Sequence, residues 1–200
     1  AKAFFDDIGE GIKITFTHDE LRLLFFIGFM GFFCYGAFDS LESLFYRDYL
    51  KVGTEWMGWL SAFAGVGSTI GSLFILRVPS KRLSMKLLSA FLLLTGVGSM
   101  VYTGTPYLLC AVVGQILTGL GFGAMGPVRS TLTQERCDPS YVGRVVSVMR
   151  VGLNSAGVLP LLVAPFLADA FGVQPVLFGA STLTALISGA FIVYTARRSV

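Results

Sequence analysis

The sequence predicts an all-α polytopic membrane protein with six transmembrane helices, and three observations predict it. Hydrophobic residues make up 54% of the 200-residue chain and charged residues only 14%, too few charges for the surface of a water-soluble domain of this size. The apolar residues gather into six runs with short polar breaks, each close to the ~20 residues that cross a ~30 Å hydrocarbon core at 1.5 Å per residue. They are too long, and alternate too little, to be barrel strands. Finally, the basic residues are strongly biased to one side of the runs. That side carries Lys2, Lys13, Arg22, Arg77, Lys81, Arg82, Lys86, Arg129, Arg136, Arg144, Arg150, Arg197 and Arg198; the other carries Arg47 and Lys51, which accounts for all 15. The bias places the first side, and both ends of this segment, in the cytoplasm, in agreement with an even number of spans.

Residues 1–20 precede the first run. Phe4, Phe5, Ile8, Ile12 and Phe16 recur at helical spacing with Asp6, Asp7, Glu10 and Lys13 between them. This predicts an amphipathic linker helix on the cytoplasmic face, with Gly9 and Gly11 as points where it can break. No compact apolar core suggests a signal peptide, and an opening on Ala1 rather than Met suggests a piece of a longer chain. The six-helix bundle takes up 21–200, with spans at 23–45, 56–76, 87–103, 107–128, 148–168 and 175–196. Gly67 and Gly71 in the second span, and Gly119 and Gly123 in the fourth, stand four apart on one helix face and mark where helices should touch. Pro127, Pro160 and Pro165 should kink the fourth and fifth spans. Asp138-Pro139 reads as a helix N-cap followed by Pro at the first helical position. Cys34, Cys110 and Cys137 form no CxxC pair; no disulfide framework, metal site or cofactor is expected.

Asp39 and Glu42 are the sharpest anomaly. With the first span centred near Cys34, they lie about 7 Å and about 12 Å from the midplane, toward the outside. Spaced three apart, they should share one face, and that face should point into the bundle or a wet cavity, because an acid facing lipid costs ~3 kcal/mol. An apolar setting and a like-charged neighbour both favour the protonated form of a carboxyl. Asp39, with Glu42, is therefore a candidate for binding a coupling proton or a cationic substrate; the plainer alternatives are a water-filled vestibule or pairing with Arg47 or Lys51. Gln115 and Asn154 are the uncharged candidates, able to bind substrate or to bond a neighbouring helix for ~0.6 kcal/mol. Arg129 and Arg150 should snorkel to phosphates at the cytoplasmic interface or cap neighbouring helices.

Two cytoplasmic segments carry a family resemblance. "EGIKITFTHDELRLL" resembles the linker before the seventh helix of major facilitator transporters of the macrolide-efflux and siderophore-exporter type. "LTGLGFGAMGPVRSTLTQERCDPSYVGRVVSVMR" is similar to the same group's tenth helix, following loop and eleventh helix; the hairpin "LFYRDYLKVGTEWMGWLSAFAGVGSTIGSLF" is similar to its helices seven and eight. The resemblance implies the C-terminal six-helix half of a twelve-helix fold, built from two inverted three-helix repeats, with substrate between the halves near the midplane. The first and fourth spans echo one another ("GFMGFFCYGAFDS", "GLGFGAMGPVRS") and would line the central cavity. Arg144, in "GRV", matches the group pattern, which suggests a conformational ion pair with Glu135 or Asp138 at the cytoplasmic gate. The loop "RVPSKRLSMK" keeps its basic residues but lacks the family's acidic residue, and the group pattern assigns no role to Asp39 or Glu42.

The implied function is secondary transport: proton-coupled efflux of amphipathic small molecules across the cell membrane. The implied partners are the substrate, protons, the lipid bilayer and the N-terminal half, with no nucleic acid. An intramembrane protease would need a buried His or a second buried Asp, whereas His18 lies in the linker and Asp39 has no such partner. No span carries a filter-like loop for a channel. A free-standing six-helix protein that dimerises is the structural rival.

Overall fold

The computed structural model describes residues 2–198, with side chains over 8–197. It is helical throughout, and among the described residues there is no strand. The chain runs α1 (Lys2–Thr17), α2 (Asp19–Leu44), α3 (Glu55–Leu76), α4 (Met85–Thr103), α5 (Leu108–Arg136), α6 (Val142–Ala156), α7 (Val158–Phe171) and α8 (Val173–Arg198). Among the described residues, six stretches are long and apolar enough to cross a membrane: α2 with its extension to Tyr49, α3, α4, α5, α6 with α7, and α8.

The linker helix is continuous through Gly9 and Gly11, contrary to the expected break. Gly11 lies against the Arg144 carbonyl oxygen and the Val148 side chain of α6, so its missing Cβ admits a neighbouring helix. The side chains of Phe4 and Phe5 lie outside the described residues; Ile8, Ile12 and Phe16 stay partly exposed. Asp19 and Glu20 occupy the first turn of α2, where negative charge complements the helix dipole. The α2 rod does not stop at Phe45 but widens into a π-helical turn over Phe45–Tyr49 and ends at Lys51, which takes φ 55°. Ser84 caps α4 by accepting from the Leu87 N–H at 3.2 Å.

The predicted glycine contacts form one seam. On α3, Gly67 and Gly71 lie on the Ile116 and Leu120 carbonyls of α5; on α5, Gly119 and Gly123 lie on the Ala64 and Ser68 carbonyls of α3. Any Cβ at these four positions would collide with backbone, so dispersion and backbone contact bind the pair. The seam also resolves Pro127, which sits inside an unbroken α5 of 29 residues. Pro127 has no N–H for the carbonyl four residues back, which belongs to Gly123. That carbonyl instead accepts from the Ser72 hydroxyl of α3 at 2.9 Å.

The fifth span behaves differently from the single helix expected. It begins at Val142 and breaks at Gly157 into α6 and α7. Pro160 explains the position, since a proline is tolerated in the first turn of a restarted helix but not within a continuing one. Gly36 of α2 packs backbone to backbone on Gly157, so α2 crosses this span at its break. Asp138-Pro139 is also corrected: the Asp138 carboxylate accepts from the Ser140 N–H at 2.9 Å and hydroxyl at 2.5 Å, and α6 begins only at Val142.

The core is divided into two clusters, one toward each end of the bundle. The basic end buries Leu24, Met85, Leu88, Leu132 and Val145; the opposite end buries Leu41, Phe45, Leu60, Tyr102 and Leu177. Within an 18-residue apolar stretch of each span, 56% of the residues are buried in α2 and in α4, against 22% in α3 and 17% in α6–α7. The outer helices expose apolar side chains such as Ile70, Phe74, Leu162 and Phe166, as helices bathed in lipid do.

Candidate functional site

Glu42 lies near the C-terminal end of α2. Its carboxylate oxygen Oε1 accepts three hydrogen bonds: from the Tyr46 hydroxyl at 2.8 Å, the Tyr102 hydroxyl at 3.1 Å and Gln115 Nε2 at 2.8 Å. Gln115 Nε2 also donates to the Tyr46 hydroxyl at 3.0 Å. The donors come from the π-helical turn, the last turn of α4 and the second turn of α5, and all are buried (Tyr46 2%, Tyr102 1% and Gln115 6% exposed). Phe45 meets Tyr102 edge-on at 5.1 Å and Phe38 stacks on it at 6.1 Å. Among these aromatic rings, three donors stand in for the water that a carboxyl group would otherwise need.

Asp39 does not join this cluster. Residues three apart are about 60° apart around a helix, and that rotation turns Glu42 toward α4 and α5 while Asp39 stays exposed. The expectation of a single shared acidic face is thus corrected. Neither acid pairs with Arg47 or Lys51; Arg47 is held by Asp48 at 2.6 Å.

Asp39 belongs instead to a polar face built by α2, α5 and α6. One and two turns back along α2 stand Tyr35 and Phe32, whose rings pack on Phe122 of α5 at 5.5 Å and 5.3 Å. The Arg129 guanidinium lies over the Phe32 ring at 5.9 Å, so of the two expectations for Arg129 it reaches a neighbouring helix. Asn154 and Arg150 of α6 are exposed and border, with Arg129 and Ser130, a cleft of about 240 Å³. Charged groups on helices of membrane-crossing length are costly against lipid, which separates this face from the apolar outer faces of α3 and α7.

At the basic end, Arg144 pairs with Glu10 of α1 at 2.8 Å, and Arg136 pairs with Glu20 of α2. This corrects the expected partners, Glu135 and Asp138. The reason is the position of α1, which packs along α6 at Gly11 and brings its own acid to the guanidinium. The Ser140 hydroxyl and N–H hold the Asp138 carboxyl below the usual carboxylate range. Among the described residues, no group of three His, Cys, Asp or Glu side chains is placed to hold a metal ion.

Comparison with known proteins fits this architecture. The Major Facilitator Superfamily model matches residues 24–200. The chain belongs to the Major Facilitator Superfamily. It is 33% identical over 179 residues to the multidrug efflux pump Tap of Mycobacterium tuberculosis and to that of Mycobacterium bovis, covering 84% of this chain and 40% of each relative. It is 30% identical over 200 residues to the multidrug efflux pump Tap of Mycolicibacterium fortuitum, covering 95% of this chain and 46% of the relative. The chain thus spans less than half the length of the curated relatives it matches. No solved structure matches it. Superfamily membership and six apolar helices make it part of a multi-pass membrane protein.

Of the residues singled out in the sequence, the structure joins Glu42 to Gln115 and sets Asp39 and Asn154 on the polar face, apart from that pair. Arg144 stands at the far end. Tyr46 and Tyr102 were missed. Tyr46 carried a usable signal, standing four residues after Glu42 and so one turn along the same face. Tyr102 carried a weaker one, standing at the end of its span on the same side of the membrane as Glu42.

Proposed function

We propose that this chain is the C-terminal six-helix half of a secondary active transporter that exports amphipathic small molecules in exchange for protons. The supporting observation is its likeness, over 84–95% of its length, to pumps named for multidrug efflux. In this reading residues 1–20 form a linker on the cytoplasmic surface, 21–200 form the bundle, and the protein sits in the cell membrane with the basic end inside. The α2–α5–α6 face meets the N-terminal half, and the substrate pathway runs between them. Asp39 supplies negative charge to a cationic substrate, Asn154 a hydrogen-bonding group, and Tyr35 and Phe122 apolar walls. Arg144, held by Glu10, ties the linker to α6 on the cytoplasmic side. No catalytic role is assigned to any residue.

The test is transport by the native full-length polypeptide in proteoliposomes, with ethidium as the amphipathic cation and an imposed pH gradient. Gradient-driven ethidium movement is expected, and Asp39→Asn is expected to raise the KM for ethidium about tenfold, the effect of losing roughly 1.4 kcal/mol of charge interaction. Absence of gradient-driven movement overturns the reading. So does a native polypeptide whose intact mass matches six helices alone, which would leave dimerisation as the way to build a pathway.

A further inference from the structure

Two cations on the α2–α5–α6 face are left over once the ion pairs are assigned. Arg129 stands seven residues before the end of α5, and Arg150 eight residues after the start of α6. Both are thus about 10–12 Å inside the basic end of their helices. They line the same cleft of about 240 Å³, beside Ser130 and Asn154. Among the described residues neither guanidinium takes part in an ion pair. We propose that this cleft is an acid-binding subsite of the transport pathway, in which Arg129 and Arg150 hold a carboxylate of the exported amphiphile. The inference rests on the transporter reading for the pathway, but on geometry for the cleft itself.

The fold builds the site around Arg129. Gly28 and Phe32 stand one turn apart on α2. The Arg129 guanidinium lies over the Phe32 ring at 5.9 Å, and its Nη1 is 3.3 Å from where a Cβ on Gly28 would stand. A ring face and a missing side chain therefore hold the group in place without neutralising its charge. A guanidinium presents five N–H donors in a rigid fork that fits the two oxygens of a carboxylate. A charge this far inside a membrane-crossing helix is costly without a counter-ion, and two that line one cleft repel each other. One carboxylate between them relieves both costs, and Ser130 and Asn154 add further donors at the exposed side of the cleft.

The cleft is also continuous with the apolar wall of the same face. Phe32, which carries Arg129, packs on Phe122, and Phe122 stacks on Tyr35. Asp39 stands one turn beyond Tyr35, about 10 Å along α2 from Phe32. From the outer end inward the face therefore presents a carboxylate, aromatic rings and two guanidiniums. That order is complementary to an amphiphile with a basic group at one end and an acid at the other.

The experiment measures binding of two dyes to the native full-length protein in lipid nanodiscs, near neutral pH and with no gradient. Rhodamine B carries a free carboxylate beside its cationic ring system; its ethyl ester keeps the cation and loses the carboxylate. The ratio of the two Kd values is compared between proteins, which cancels the unequal partition of the dyes into lipid. The wild type is expected to favour rhodamine B about tenfold more than Arg150→Gln or Arg129→Gln does, the effect of one charge-assisted hydrogen bond. Asp39→Asn is expected to weaken both dyes alike and leave the ratio unchanged. Failure of rhodamine B to bind, or a ratio unchanged in Arg150→Gln, overturns the proposal. An acid side chain of the N-terminal half, or a lipid phosphate, seated in the cleft gives that second result. A ratio lost in Asp39→Asn overturns it too. Arg150 is exposed, so its replacement decides the matter even where Arg129→Gln fails to fold. Because binding is read without a gradient, failure of ethidium transport and failure of this subsite are separate results.

Discussion

At the basic end, helices are joined by ion pairs that solvent reaches: Glu10 and Arg144 are 43% and 36% exposed, and Glu20 and Arg136 are 38% and 31% exposed. At the opposite end, helices are joined by one half-buried carboxylate and three donors that solvent hardly reaches. The first kind of junction is weak, separable pair by pair, and screened by salt. The second is cooperative, because removing Glu42 takes a shared acceptor from two tyrosines and an amide in an apolar setting, leaving only the Gln115–Tyr46 bond between them. A joint of exposed pairs can open and close at little cost. A joint of converging buried donors resists opening, because parting the helices leaves those donors without their shared acceptor.

That contrast can be broken by experiment. The largest effect is expected for Glu42→Leu, which should lower thermal stability by roughly 1–3 kcal/mol by leaving buried donors unpaired; an unchanged unfolding midpoint would remove the cooperative picture. Gln115→Leu should cost less, roughly 0.6–1.7 kcal/mol as for other interhelical bonds in membranes, and its loss should not add to that of Glu42→Leu in a double-mutant cycle. Glu10→Gln should cost only about 0.2–1 kcal/mol, and less at high salt. A salt-independent loss there would make the two ends alike. The smallest effect is expected at Asp138, whose carboxyl the Ser140 hydroxyl and N–H hold below its ordinary range. Because the folded group is the stronger acid, its contribution is present above the unfolded value and is lost as pH falls through the folded one. Asp138→Asn should therefore lower stability slightly at neutral pH and flatten the acid-side fall, so that variant and wild type converge at low pH; an unchanged neutral-pH midpoint would count against the contact.

The two ends also differed in how far the sequence exposed them. Spans, and the pairing of Gly67 and Gly71 with Gly119 and Gly123, were readable because hydropathy and small-residue spacing are local properties of one helix. Glu42 and Gln115 were each legible as anomalies in apolar runs, but their meeting was not, since it depends on how α2 and α5 are rotated in the bundle. The same limit hid Tyr102 and misassigned the partner of Arg144, which lies 134 residues away in α1. The break at Gly157 was half legible: Pro160 announced a disturbance, but not that the chain would stop and restart.

The α3–α5 seam has a consequence for which changes to the chain it can absorb. The four glycine contacts and the Ser72 bond to Gly123 depend on a single rotational setting of α3. Point changes on its outer face, at Ile70 or Phe74, leave that setting intact. One residue inserted in α3 ahead of Ala64 turns everything before it by about 100° relative to the seam; one inserted between Gly67 and Gly71 splits the seam itself, and Ser72 then swings away from the carbonyl that Pro127 leaves open. Within α3, tolerance of length and tolerance of composition are therefore opposites: the lipid-facing surface accepts many side chains, while the register accepts no extra residue.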